Sequence, residues 1–404
     1  MRTVNSPQLA RAPFAATVST MSIIAIVLAS QAYATIPLMP HLGKAWGVSE
    51  ASAAWTTSVF AIAYAGSSLL SGSLADRYGR RVVVAASLAI MAVATLLLPM
   101  AGSLTVGCAL RAVQGAMAGF FAPVVYTYFS ERLDPTRIAL ALTIVSCSLG
   151  GTLVIGQVSG QVLADTLGWA ALFWFSAPLL ALGAFLAWKV MLADPPRVKS
   201  TAAKDSHFWA VPGSAPLIPL FACALAVLGG VTAIYTAVQL YRPAGLGGDA
   251  DALLALRASA LPALIIAVLV TPKLSRIAAL PRAGGALAVA GIGLLNAAIL
   301  ADNVAGLAVA LFICVLGTSA AGPALIEAVG AGAGSARATA IAIYSFLLNF
   351  GAGAGAQLPS VVGGFTQLAA LLAVVFAVCI GLTAVSAKLG HARGAPAQTP
   401  QGVS

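Results

Sequence analysis

Apolar runs of membrane-spanning length follow one another along almost the whole chain. They lie near residues 17–39, 50–73, 82–101, 104–129, 138–163 and 169–191, and again near 216–241, 253–272, 284–301, 304–326, 338–358 and 361–387. A helix that crosses a bilayer needs about 20 such residues. The pattern therefore predicts an all-α integral membrane protein with twelve transmembrane helices in two groups of six. The Gly-rich stretches blur the edges of the 304–326 and 338–358 runs.

Composition agrees. Of 404 residues, 60% are hydrophobic and 8% charged, more apolar surface than a soluble fold could hide. The net charge of +10 raises the question of nucleic acid. The basic residues, however, punctuate the apolar runs and form no patch, which argues for a bilayer and against nucleic acid. Five cysteines all fall inside apolar runs without CxxC spacing, so they read as small core residues. The three histidines have no metal-ligand spacing, and no phosphate-cradling Gly-x-x-x-x-Gly-Lys-Ser/Thr loop occurs. No metal, cofactor or ATP site is expected, and no enzyme activity.

Arg2 and Arg11 precede an apolar run ending in Ala32-Tyr33-Ala34, which imitates a signal-peptidase site. The polar lead is long and the run continues toward Met39, so an uncleaved first span is the expectation. Residues 1–191 then form one six-helix bundle and 216–388 a second. Between them, 192–215 is a polar linker broken by Pro195-Pro196, and 389–404 is a disordered tail. Placing the N-terminus inside puts 17 of the 21 Lys and Arg residues on the cytoplasmic side, which fixes both termini there. The other four are Lys44, Arg111, Arg242 and Arg257.

The halves echo each other. An offset of 200 residues places Arg137 on Arg337, Gly151 on Gly351 and Gln157 on Gln357, as a duplicated six-helix unit would. Leu74-Ala-Asp-Arg77 falls near Leu274-Ser-Arg276, where the acid is missing.

The densest charge lies between the second and third runs, in Gly72-Ser-Leu-Ala-Asp76-Arg77-Tyr-Gly79-Arg80-Arg81. Gly72 and Gly79 permit a tight turn between helices. Asp76 can accept bonds from a neighbouring helix's amides or pair with an arginine, making the loop a conformational latch. Arg80 and Arg81 stand where anionic lipid attracts them, and a purely anchoring role is the alternative. The loop resembles that of the major facilitator superfamily, Gly-x-Leu-Ala-Asp-Arg-x-Gly-Arg-Arg/Lys, with every specified position matched. The twelve-run layout and central linker extend the resemblance over the whole chain.

Arg111 sits inside the fourth run, with Gln114 and Gly115 on the same helix face. A lipid-facing arginine near mid-span costs about 2.5–3.5 kcal/mol, so it should face the interior; snorkelling to the outer interface is the alternative. The segment resembles the superfamily's Arg-x-x-Gln-Gly motif, which implies a part in proton coupling. On the fifth helix Gly150-Gly151, Gly156-Gln157 and Gly160 only partly match the Gly-Pro motif of exporting members, and helix packing explains the glycines equally well. No acid falls mid-span. Glu131 and Glu327 end their helices and are followed by Arg137 and Arg337, a pattern read as a cytoplasmic gate. Candidates for a central cavity are Gln31, Tyr33, Tyr126, Tyr235, Gln239, Tyr344 and Asn349.

The resemblance implies two bundles rocking about a central cavity. It implies a monomeric secondary transporter in the cytoplasmic membrane, exporting a small organic molecule against protons. An uptake permease and a non-transporting receptor or scaffold on the same fold are the alternatives.

Overall fold

A computed structural model describes residues 11–194, 215–270 and 273–394. The linker from 195 to 214, the first ten residues and the tail from 395 lie outside the described residues. The spans are α1 (Phe14–Ala34), α2 (Glu50–Tyr78), α3 (Arg80–Met100), α4 (Leu104–Arg132), α5 (Pro135–Gly150 with Thr152–Leu167), α6 (Ala171–Val190), α7 (Ile218–Tyr241), α8 (Ala250–Ala267), α9 (Ala279–Ile299), α10 (Val304–Gly332), α11 (Thr339–Val361) and α12 (Phe365–Gly390). Among the described residues eleven spans are single helices by length and apolarity, and α5 is a pair bent by 41° at Gly151.

Local chemistry sets the ends. Side chains of Ser103, Asp249 and Asn303 accept the backbone N–H of Val106, Ala252 and Gly306, capping α4, α8 and α10. The Asp249 cap starts α8 three residues before the expected 253. The first run does not continue as helix to residue 39. Pro37 and Pro40 lack the N–H that would extend it, so α1 ends at Ala34 and Met39–Trp46 forms a separate short helix. That helix is tied down by Trp46 Nε1, which donates to the Ala101 carbonyl at 2.7 Å. The Gly-rich end of α10 stays helical to Gly332, six residues past the expectation. The last helix runs to Gly394, so 389–394 belong to helix and not to the tail.

The packing repeats with a six-helix offset. α1 packs on α5, α2 on α4 and α3 on α6; correspondingly α7 packs on α11, α8 on α10 and α9 on α12. Gly156 and Gly160 bring α5 against the Ser30 and Ala34 backbone of α1, and Gly351 and Gly355 bring α11 against Leu225 and Gly229 of α7. The bundles meet where α2 lies on α11 and α5 on α8. Large apolar side chains such as Val93, Leu96, Phe175, Val374 and Val378 point outward, as lipid-facing surface requires.

Candidate functional site

Charged and polar side chains gather at three levels. The first is the α2–α3 turn, here called the motif end. Gly79 carries the turn at φ 90°, a backbone conformation that side-chain-bearing residues rarely adopt. Gly72 has no part in it: α2 continues to Tyr78, so Gly72 is helical and faces open space. Arg80 is turned inward and nearly buried. Its Nη2 donates to Glu131 Oε1 at 2.6 Å, and its Nη1 lies 3.5 Å from Asp194 Oδ2. Arg80 is thus an internal tie and not a lipid anchor. Arg81 stacks on Trp188 with its guanidinium carbon 3.9 Å from the ring centre, and Arg77 lies over Tyr78 at 5.2 Å. Asp76, 64% exposed, sits 3.7 Å from Arg80.

Asp194 is the motif-end residue that the sequence did not disclose. It follows α6 and was assigned to the linker. Its carboxylate accepts the Arg80 backbone N–H at 2.6 Å, capping α3 from outside the helix. A strap delivers it there. The Leu192 N–H donates to the Tyr128 hydroxyl at 2.8 Å, and Arg132 Nη2 donates to the Ala193 carbonyl at 2.7 Å while lying 3.8 Å from Asp194. A cleft of about 380 Å³ beside the turn is lined by Ser71, Gly72, Asp76, Arg80, Thr127 and Glu131.

The second half has a counterpart. Arg282 of α9 bonds to Glu327 of α10, as Arg80 of α3 bonds to Glu131 of α4. Glu327 is thus the counterpart of Glu131, and the position of Asp76 keeps no acid in the Leu274-Ser-Arg276 echo. The four gate candidates lie at this end. Glu131 and Glu327 have partners within their own bundles, Arg137 lies over Phe14 at 5.4 Å, and Arg337 rests against Gly330. In the turn after α4, Asp134 accepts the Thr136 hydroxyl at 2.7 Å and backbone N–H at 3.0 Å, and pairs with Arg11 at 2.6 Å. The Thr136 bonds, then Arg11, hold its carboxyl below the ordinary aspartate range.

The second level is Arg111, fully buried inside the first bundle. It does not snorkel. Nε donates to the Thr56 carbonyl (3.1 Å), Nη1 to Gln114 Oε1 (2.7 Å) and Nη2 to the Gln31 carbonyl (2.8 Å), with Phe60 beneath the guanidinium. Gln114 in turn donates to Thr95 at 3.0 Å. One side chain thus joins α1, α2 and α4, and its neighbour Gln114 reaches α3. Gly115 allows this approach, since a Cβ there would overlap the Phe60 carbonyl.

The third level lies at the opposite end and joins the bundles. Glu50 of α2 accepts from Arg242, just past α7, at 2.8 and 3.0 Å. Gln357 of α11 donates to Ser58 of α2 at 2.7 Å. Gln161 of α5 donates to the Ala250 carbonyl at 2.6 Å and accepts from Arg257 of α8. Arg257, 1% exposed, also donates to Gln239 of α7. The sequence reading missed Arg257, although the cost argument applied to Arg111 would have found it. Starting α8 at 253 put Arg257 one turn from the end, where snorkelling is cheap. At 1.5 Å per residue it lies about 10 Å into the helix.

The cavity candidates divide. Gln31, Tyr33, Tyr235, Gln239 and Tyr344 are buried, while Tyr126 and Asn349 are half-buried. Gln239 belongs to the cross-bundle contact. Tyr126 bonds Ser146 at 2.8 Å, and Asn349 donates to the Ser345 carbonyl of its own helix at 2.9 Å. Side-chain oxygens of Gln31, Tyr235, Thr232 and Thr236 are buried without a hydrogen-bond partner.

Two offset-related six-helix bundles, with a charged α2–α3 turn and a buried α4 arginine, define a multi-pass membrane protein of the two-bundle carrier type. The chain belongs to the Major Facilitator Superfamily, whose family profile matches residues 21–356. It is similar to the methylenomycin A resistance protein of Streptomyces coelicolor, 26% identical over 208 residues, or 50% of this chain and 42% of that one. It is similar to the tetracenomycin C resistance and export protein of Streptomyces glaucescens, 27% identical over 155 residues, or 38% and 29%. It also resembles the cephamycin export protein of Amycolatopsis lactamdurans, 32% identical over 161 residues, or 39% and 32%. The matched stretches span less than half the length of these relatives.

Proposed function

We propose that the protein is a secondary transporter that exports a small, largely apolar or neutral organic molecule, a drug or natural product, by alternating access. The observation that carries this reading is the asymmetry of its closure. The bonds from Glu50, Ser58 and Gln161 tie the bundles together at one end, while Arg80 and Arg282 pair within their own bundles at the other. A carrier resting open toward the motif end has this pattern. The crowding of Lys and Arg there supports a cytoplasmic motif end, hence cytoplasmic termini, an inner-membrane location and an inward-open rest state.

In this reading the latch residues Asp76, Arg77, Gly79, Arg80 and Arg81, with the gate residues Glu131, Arg137, Glu327 and Arg337, regroup when the motif end closes. Asp76 is exposed at the turn, and its 3.7 Å contact with Arg80 is one of the pairings that would exchange. Gln31, Tyr33, Tyr126, Tyr235, Tyr344 and Asn349 face the substrate. Protons drive the cycle, and Arg111 with Gln114 and Gly115 couples them to movement, because any change at Arg111 is felt by α1, α2 and α4 together. The protein works as a monomer in the bilayer. The resistance and export functions named for its relatives agree with an outward direction.

Everted membrane vesicles energised with a proton gradient should accumulate antibiotic or dye probes, and lose that ability in Arg111→Ala. Accumulation in right-side-out vesicles would show uptake and overturn the export reading. Full pH-dependent flux in Arg111→Ala would remove the coupling role.

A further inference from the structure

Beside the α2–α3 turn, on the outer side of the first bundle, lies a second small cavity of about 200 Å³. Tyr78, Gly79, Arg81, Val82, Trp188 and Asp194 line it. It is smaller than the 300 Å³ or more typical of drug-sized ligand pockets, so it is not a route for the transported molecule. Arg81 is its chemical centre. Trp188 holds the guanidinium flat at 3.9 Å. Among the described residues Arg81 has no ion pair, and its Nε is buried without an acceptor. The one acid in the wall, Asp194, is already held by Arg80 and Arg132. Two further cations adjoin lining residues in sequence, Arg77 over Tyr78 at 5.2 Å and Lys189, next to Trp188, over Phe185 at 5.6 Å.

The geometry points to a binding site for the phosphate of an anionic lipid headgroup, gripped by Arg81 between Trp188 and Tyr78. A planar guanidinium fork matches phosphate oxygens, and Trp and Tyr are the residues that settle at headgroup level. The exposed Tyr78, Val82 and Trp188 continue into the lipid-facing surface of the bundle, where acyl chains would lie. A lipid seated here bridges α6 and the α2–α3 turn, one residue from the Asp194 cap on α3. Free phosphate shares the headgroup chemistry but lacks the chains, so the two sources can be separated.

The test is native mass spectrometry of the delipidated full chain, titrated with phosphatidylglycerol, with phosphatidylcholine and with inorganic phosphate. Wild type should retain phosphatidylglycerol over phosphatidylcholine, and Arg81→Gln should weaken phosphatidylglycerol retention about fivefold, the share of one basic residue at an anionic surface. Lys273→Gln removes a charge at the same end and should leave retention unchanged. Trp188→Leu, which frees the guanidinium, should also lower retention and carries the test if Arg81→Gln does not fold. Equal phosphatidylglycerol retention in wild type and both cavity variants overturns the site. Binding of inorganic phosphate with no preference for phosphatidylglycerol overturns the lipid as its occupant.

Discussion

Replacing Gln161 with leucine should loosen the closed end of the molecule more than any other single uncharged substitution there. Gln161 makes two bonds across the bundles: it accepts from the buried Arg257, and it donates to the Ala250 carbonyl at 2.6 Å. A hydrogen bond to a charged group contributes about 1.5–3 kcal/mol net, and a neutral one about 0.5–1.5 kcal/mol. When the bundles part, water replaces both partners, so the loss falls on the closed state alone. The equilibrium should move toward parting by about 2–4 kcal/mol, or about 30- to 700-fold. The neighbouring ion pair is a calibrated comparison. Glu50 and Arg242 are 34% and 31% exposed, so Glu50→Gln should shift the balance by less than about 1 kcal/mol. Labels on the exposed Lys44 and Asp302 report the separation by double electron–electron resonance. Gln161→Leu should populate a longer distance. An unchanged distance distribution in Gln161→Leu refutes the reasoning.

Asp194→Ala removes the α3 cap and a partner of two nearly buried arginines, and should cost about 2–4 kcal/mol. A melting temperature equal to wild type would count against the cap. Gly115→Ala drives a methyl into the Phe60 backbone and should cost about 1–3 kcal/mol, read as loss of the monodisperse peak in fluorescence-detected size exclusion. Asp76→Asn should change stability by less than about 1 kcal/mol, since the carboxylate is exposed, yet slow turnover; normal transport would dismiss the latch. Asp134 has a folded pKa below its unfolded value, so its contribution is complete at neutral pH and is lost only as pH falls through that lowered value. The difference in melting temperature between wild type and Asp134→Asn should therefore stay constant from about pH 8 to about pH 5, and a fall within that range would contradict the assignment.

The twelve spans were legible because bilayer length writes itself into local composition. Arg111 was legible because a cation inside an apolar run demands an interior. The loop 72–81 was legible as a pattern, but its inner wiring was not. Asp194 reaches Arg80 across 114 residues, Gln161 reaches Arg257 across 96, and Glu50 reaches Arg242 across 192. No periodicity links such partners; helix rotation and bundle packing bring them together. The same blindness explains why Arg80 and Arg81 share one reading in the sequence, both facing lipid. Adjacent residues on a helix point about 100° apart, and only the packing shows which one faces in. Asp194 went unremarked because it lay among the linker's prolines and charges.

The strap from Leu192 to Asp194 has a mechanical consequence. The chain leaves the first bundle at Asp194 and re-enters as described structure at residue 215. Its point of departure is not a loose end of α6 but a carboxylate fastened to the first turn of α3. Any displacement of Asp194 is therefore felt first at the Gly79 bend and the Arg80 knot, and not in a fraying end of α6.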